Sequence, residues 1–144
     1  MKILIATLTL FLSLHLAEAK KDFSGIAETH QSERERILSL SKKIMEGQKS
    51  KNYYQLTEEE ASPLFLSMFT IQLQEMAYEK QIKLMFGDYI SQKYYSHARA
   101  MYNNTEYTVY TLEATFSKAK KVEVVVSIDK DGKIGGYRLN PWSK

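Results

Sequence analysis

The sequence predicts an α+β fold in which N-terminal helices precede a four-stranded antiparallel meander sheet. Apolar residues recur at three- and four-residue spacing as far as Gly87. Beyond Gly87, β-branched and aromatic residues dominate, and turn signals separate runs of strand length. Those turns are short, which suits hairpins between neighbouring antiparallel strands rather than crossovers.

The first nineteen residues read as a cleavable secretory signal peptide: Lys2, an apolar run over 3–16, then the small-x-small pattern Ala17-Glu18-Ala19. Cleavage after Ala19 is expected, with secretion or a periplasmic location. The apolar run is shorter than the roughly 20 residues a membrane-spanning helix needs, so no span is expected after cleavage. There is no cysteine, which excludes a lipid-modified cysteine, a disulfide framework and thiol chemistry. The formal charge of +3 is mild and its Lys and Arg residues are dispersed among acids, so no nucleic-acid partner is expected.

Residues 20–31 are polar and aperiodic and read as a flexible leader, so one domain is expected over 32–144. Ser32-Glu33-Arg34-Glu35 has the form of a capping box. Ile37, Leu40, Ile44 and Met45 then predict a helix over 33–46 that stops at Gly47. A second start is signalled at Thr57-Glu58-Glu59-Glu60, or at Ser62-Pro63, where proline suits a first helical position. Leu64, Phe65, Met68, Phe69, Ile71 and Leu73 are too dense for one stripe and predict burial on more than one side. One long helix or two abutting helices fit 58–86.

Strands are predicted over 89–102, 106–116, 121–128 and 133–139. The turns between them centre on Asn103-Asn104, on 117–120 and on Asp129-Lys130-Asp131-Gly132. Alternation places Ala98, Val109, Thr111, Val122, Val124, Val126, Ile128, Ile134 and Gly136 on one face. The other face collects Tyr95, His97, Tyr110, Leu112, Phe116, Val125, Tyr137 and Leu139. Helices can cover one of these faces. The other calls for a second copy of the chain, a ligand, or the tail around Trp142.

The helix end Met85-Phe86-Gly87-Asp88-Tyr89 and the hairpin from Val122 through Asp129-Lys130-Asp131-Gly132-Lys133-Ile134 to Tyr137 carry a resemblance. They resemble the cystatin-like domains of the nuclear transport factor 2-like superfamily, and within it small exported bacterial domains of unknown function. The resemblance implies two or three N-terminal helices packed on a curled sheet, and brings no established activity. Two departures stand out: the Tyr-rich first two strands and the strongly apolar stretch from Leu64 to Leu73.

Catalytic members of that superfamily imply an acid or base between helices and sheet. His15 falls in the signal segment and His30 in the leader, which leaves His97 among the predicted strands, beside Tyr95, Tyr110 and Tyr137. The plainer reading of His97 is a half-exposed strand histidine. Glu113 and Glu123 read as solvated or edge carboxylates. Asp129-Lys130-Asp131-Gly132 lacks the later Glu of a calcium loop and reads as turn chemistry. No zinc spacing, phosphate loop or nucleophile elbow occurs, so no metal and no cofactor is expected. Asn103-Asn104-Thr105 matches the N-glycosylation pattern at a hairpin tip.

The sequence therefore favours a non-catalytic exported domain that binds a small ligand or protein partner through Tyr95, His97, Tyr110, Leu112 and Tyr137, with a homodimer through the sheet as one form. The alternative is a hydrolase or isomerase using His97 with a neighbouring tyrosine, Tyr95, as an acid–base pair.

Overall fold

The computed structural model describes residues 20–21 and 27–144, with side chains from residue 30 onward. The expected signal peptide and its cleavage point at Ala19 lie outside the described residues.

Helix α1, Ala27–Ser50, contains the expected stripe but runs beyond it at both ends. Ile37, Leu40, Ile44 and Met45 are buried, and Ser41 and Gln48 share their face. Ser32 is therefore helical rather than a cap. The left-handed residue that ends the helix is Lys51 (φ 61°), not Gly47. Gly47 serves close approach instead, because a Cβ there would lie 2.7 Å from the Asn52 carbonyl oxygen where the chain folds back.

The 58–86 region divides differently from either expectation. Thr57 to Glu60 forms a turn in which the Glu60 carboxylate accepts from the Thr57 N–H at 2.9 Å. Ala61 bridges in parallel to Ile134, and Ser62 N–H donates to the Ile134 carbonyl at 3.0 Å. Helix α2, Pro63–Met68, starts where Ser62 and proline signal it, with the Ser62 hydroxyl accepting from Phe65 N–H. Thr70 caps α3, Ile71–Ala77, which continues through a π-helical turn, Tyr78–Ile82, into α4, Lys83–Phe86. Gly87 ends this run at φ 81°, as expected.

Four long strands follow: β2 Tyr89–Tyr102, β3 Thr105–Phe116, β4 Ala119–Ile128 and β5 Ile134–Pro141. The pair β1, Lys20–Lys21, lies against Ala98 and Arg99, so the open antiparallel sheet has the order β1-β2-β3-β4-β5. Asn103 and Asn104 both take positive φ in the first hairpin. In the last hairpin Asp129 Oδ1 accepts from the N–H groups of Asp131 and Lys133, each at 2.9 Å, which is turn chemistry.

The face assignment of β4 is corrected. An irregularity between Ala114 and Phe116 adds one residue to the β3–β4 register, so Tyr110 pairs with Val126 and Leu112 with Val124. One extra residue exchanges every side chain of a strand between faces. Val122, Val124, Val126 and Ile128 consequently join Tyr110, Leu112, Phe116, Tyr137 and Leu139 in the main core, under Ile37, Ile44, Phe65 and Phe69 of the helices. Val125 moves to the other side, where it forms a smaller cluster with Ala100 and Val109 against Tyr107.

Candidate functional site

The structure brings together four of the five residues expected to form a site. His97 pairs across the sheet with Tyr110, Tyr110 with Val126, and Val126 with Tyr137, so these lie in one row, and Leu112 stands in the next. Tyr110, Leu112 and Tyr137 are buried in the main core. Their contacts are therefore internal, and they present no open face to a partner. Tyr95 stands apart from them. A register shift between Tyr94 and Ser96 turns Tyr95 outward, where its ring meets Trp142 edge-on at 5.0 Å. Tyr94 takes the inward place.

Tyr94 and His97 form a close pair, with the phenol oxygen 2.6 Å from His97 Nδ1. The Arg34 guanidinium sits 4.5 Å over the Tyr94 ring, a cation–π contact from α1 to β2. His30, from the first turns of α1, stacks on His97 with ring centroids 4.8 Å apart, and its Nδ1 lies 3.5 Å from the Tyr110 hydroxyl. That hydroxyl donates to Glu33 Oε1 at 2.6 Å. Burial, then the Glu33 hydrogen bond and charge, push the Tyr110 phenol well above its ordinary range. Tyr110 is thus a fixed donor to Glu33, not a proton acceptor.

A second polar chain lies deeper. The Tyr137 phenol, pushed above its ordinary range by burial, is 2.8 Å from Ser41 Oγ. Ser41 in turn donates to Gln92 Oε1 at 2.8 Å, and Gln92 Nε2 donates to the Leu38 carbonyl at 3.1 Å. Since Ser41 has one proton and gives it to Gln92, Tyr137 is the donor to Ser41.

Gln92 floors an open groove of about 450 Å³ between α1 and the start of β2. Its walls mix apolar Leu38 and Ile90 with Ser39, Lys42 and Glu46. Lys42 and Glu46 approach to 4.0 Å as an exposed i,i+4 pair, an interaction weak enough to leave both groups free to turn toward a ligand. Burial and then the Glu46 charge raise the pKa of Tyr89, which also lines the groove.

The two strand carboxylates have structural partners. Glu113 lies between Lys93 at 3.5 Å and Lys121 at 3.8 Å, and Glu123 pairs with Lys144 at 3.3 Å. Asn103 is exposed at its hairpin tip. Among the described residues no group of three His, Asp or Glu side chains could hold a metal ion, and no helix is long and apolar enough to cross a membrane.

Reasoning from sequence missed His30, Glu33 and Arg34 as neighbours of His97. A signal for them existed: stepping back from Ile37 in helical intervals of three and four reaches Arg34, Glu33 and His30.

Fold and geometry together define an α+β domain, with helices on one face of an open antiparallel sheet and a mixed-polarity groove at the sheet's first long strand. No protein-family model, no curated protein and no solved structure matches the chain.

Proposed function

We propose that this chain is an exported, non-catalytic domain of the nuclear transport factor 2-like superfamily, and that it binds a small ligand in the groove between α1 and the first half of β2. The groove itself carries the proposal. Its volume of about 450 Å³ falls in the range of roughly 300–1,000 Å³ of small-molecule sites, and its walls pair apolar surface with a few polar groups.

An added peptide strand suits it less well. The Tyr89 carbonyl accepts from Lys49 Nζ at 3.1 Å, Gln92 crosses to α1, and the register shift at Ile90 bends the edge away. Native mass spectrometry of the chain purified from its own source tests the proposal. A co-purifying mass that disappears in an Ile90→Glu, Leu38→Glu variant supports it. A bare chain, together with no thermal shift across a panel of small amphipathic compounds, refutes it. Export is tested separately by the N-terminal residue of the chain recovered from source, expected to be Lys20.

One observation favours a second reading, a hydrolase or isomerase: the 2.6 Å Tyr94–His97 pair has acid–base geometry. Against it, the Tyr110 hydroxyl is committed to Glu33 and His30 stacks on the His97 ring. Turnover of ester or enolisable carbonyl substrates that is lost in His97→Gln would establish this reading. A homodimer through the outer face is the weaker proposal, because its apolar cluster of Ala100, Val109 and Val125 is already buried within the single chain. A monomer by sedimentation velocity removes it.

A further inference from the structure

We propose that the end of the domain built from α4, the turn at Gly87 and the β3–β4 turn is a docking surface for a bilayer of anionic lipid. Leu84, Met85 and Ile90 are large apolar side chains left 61%, 46% and 60% exposed within one short stretch of chain. Apolar exposure concentrated in this way marks an interaction surface, whereas exposed leucines scattered singly do not. The inference stands apart from the groove reading, because neither Leu84 nor Met85 lines the groove.

The exposure is held in place by the core beneath it. Phe86 and Tyr89, which stand between the exposed residues, are buried against Phe116 with ring centroids 5.7 and 5.8 Å away. Gly87 N–H donates to the Lys83 carbonyl and Lys118 N–H to the Phe86 carbonyl, each at 2.9 Å. Ser117 N–H donates to the Asp88 carbonyl at 2.8 Å, and Asp88 N–H donates to Ser117 Oγ at 2.8 Å. The backbone of 86–88 is thus tied to the β3–β4 turn, and docking has little further ordering to impose on it.

Charge decides the occupant. Lys83 adjoins Leu84, and Lys118 lies over the turn, where a Cβ on Gly87 would come 3.0 Å from its Cγ. Lys120 follows at the start of β4. All three are exposed, and among the described residues none of them joins an ion pair. Asp88 is the acid between them. Of the neighbouring carboxylates, Glu79 is held by Lys51 at 3.5 Å, and Glu113 by Lys93 and Lys121 at 3.5 and 3.8 Å. Aliphatic side chains rimmed by lysine suit a negatively charged lipid surface, where apolar burial and headgroup attraction add. A protein interface would be richer in aromatic residues and poorer in lysine.

Co-sedimentation with vesicles of phosphatidylcholine, alone and mixed with phosphatidylglycerol, tests the surface on the chain produced in its own source. Partition into the mixed vesicles is expected to exceed that into the neutral ones by about tenfold or more. Leu84→Glu/Met85→Glu should lower it by more than about tenfold. Lys118→Gln/Lys120→Gln should lower it by about fivefold per lysine, with no effect on neutral vesicles. Both variants change exposed side chains only, and an unaltered circular dichroism spectrum confirms that each has folded. Absence of partition, equal partition into the two kinds of vesicle, or partition that survives Leu84→Glu/Met85→Glu overturns the proposal. Self-association in sedimentation velocity that this same variant abolishes also overturns it, by assigning the surface to a second copy of the chain.

Discussion

Replacing Ser41 with alanine should destabilise the domain by about 2 kcal/mol, far more than deleting a methylene-sized group from a helix ordinarily would. The magnitude follows from the hydrogen-bond chain Tyr137 to Ser41 to Gln92. Tyr137 is 2% exposed, so Ser41→Ala leaves its hydroxyl in the core with no acceptor. An orphaned buried hydroxyl costs about 1–3 kcal/mol. Tyr137→Phe removes the donor but leaves Ser41 still donating to Gln92, at a cost of about 0.5–1 kcal/mol. In the double variant nothing is orphaned at Tyr137. Ser41→Ala/Tyr137→Phe is therefore expected to be no less stable than Ser41→Ala alone, a departure from additivity of about 1 kcal/mol.

Urea denaturation of the four proteins measures this, with m held constant across the set as evidence of an unchanged transition. A Ser41→Ala loss below about 0.5 kcal/mol, or effects that add to within about 0.3 kcal/mol, would refute the hydrogen-bond direction assigned here. The same substitution frees Gln92, the floor of the groove. A ligand that co-purifies with the wild type should therefore be weakened in Ser41→Ala more than in Tyr137→Phe.

Gly87→Ala should cost about 2–4 kcal/mol by urea denaturation, because a Cβ at φ 81° would lie 2.1 Å from Ser117 Oγ, the group that accepts from Asp88 N–H at 2.8 Å. A loss under about 1 kcal/mol would show that the turn relaxes freely. Alkaline stability supplies a third test. The folded Tyr110 and Tyr137 phenols are raised, chiefly by burial, so their contribution is complete below the unfolded value near 10 and is lost as pH rises above it. Tyr110→Phe should flatten the decline of stability above about pH 10; an unchanged alkaline limb would contradict its burial as a neutral donor.

The legible parts of this fold were those where a local rule leaves a mark in residue type. The stripe Ile37, Leu40, Ile44, Met45 marks a helix face, and Asn103-Asn104 and Gly132 mark positive φ. The break at Phe69 and Thr70 was not legible, because the apolar density from Leu64 to Leu73 masks a cap: Thr70 accepts from Leu73 N–H, yet looks like any threonine among core residues. The face of β4 was illegible for another reason. A single extra residue beside Thr115 carries no compositional signature, and strands of alternating Val cannot declare which alternation is inward. The expected leader over 20–31 hides a site residue, because α1 already begins at Ala27 and polarity alone does not mark a helix end packed on aromatic strands. Polar His30 and Glu33 both reach one tyrosine of the Tyr-rich strands, Tyr110.

The position of Ser41 shows how the sheet makes the groove. Ser41 contacts Gln92 on β2 and Tyr137 on β5 at 2.8 Å each, although β3 and β4 separate those strands in the sheet order. Three strand spacings of about 4.8 Å put β2 and β5 some 14 Å apart, a span that the long Gln92 and Tyr137 side chains reach across to meet at Ser41. The sheet also carries several irregularities of the kind that bend strands. Register shifts at Ile90 and Tyr95 leave each of these residues exposed, and two more lie between Ala114 and Phe116 and between Ser127 and Ile128. The start of β2 lies beside Leu38 and Lys42, and the gap between that edge and the helix is the groove. A change that flattens β2, such as deleting Tyr95 to restore an unbroken β2–β3 register, should separate Gln92 from Ser41. Such a change should abolish retention of the proposed groove ligand by native mass spectrometry while leaving the apolar contacts of Ile37 and Ile44 in place.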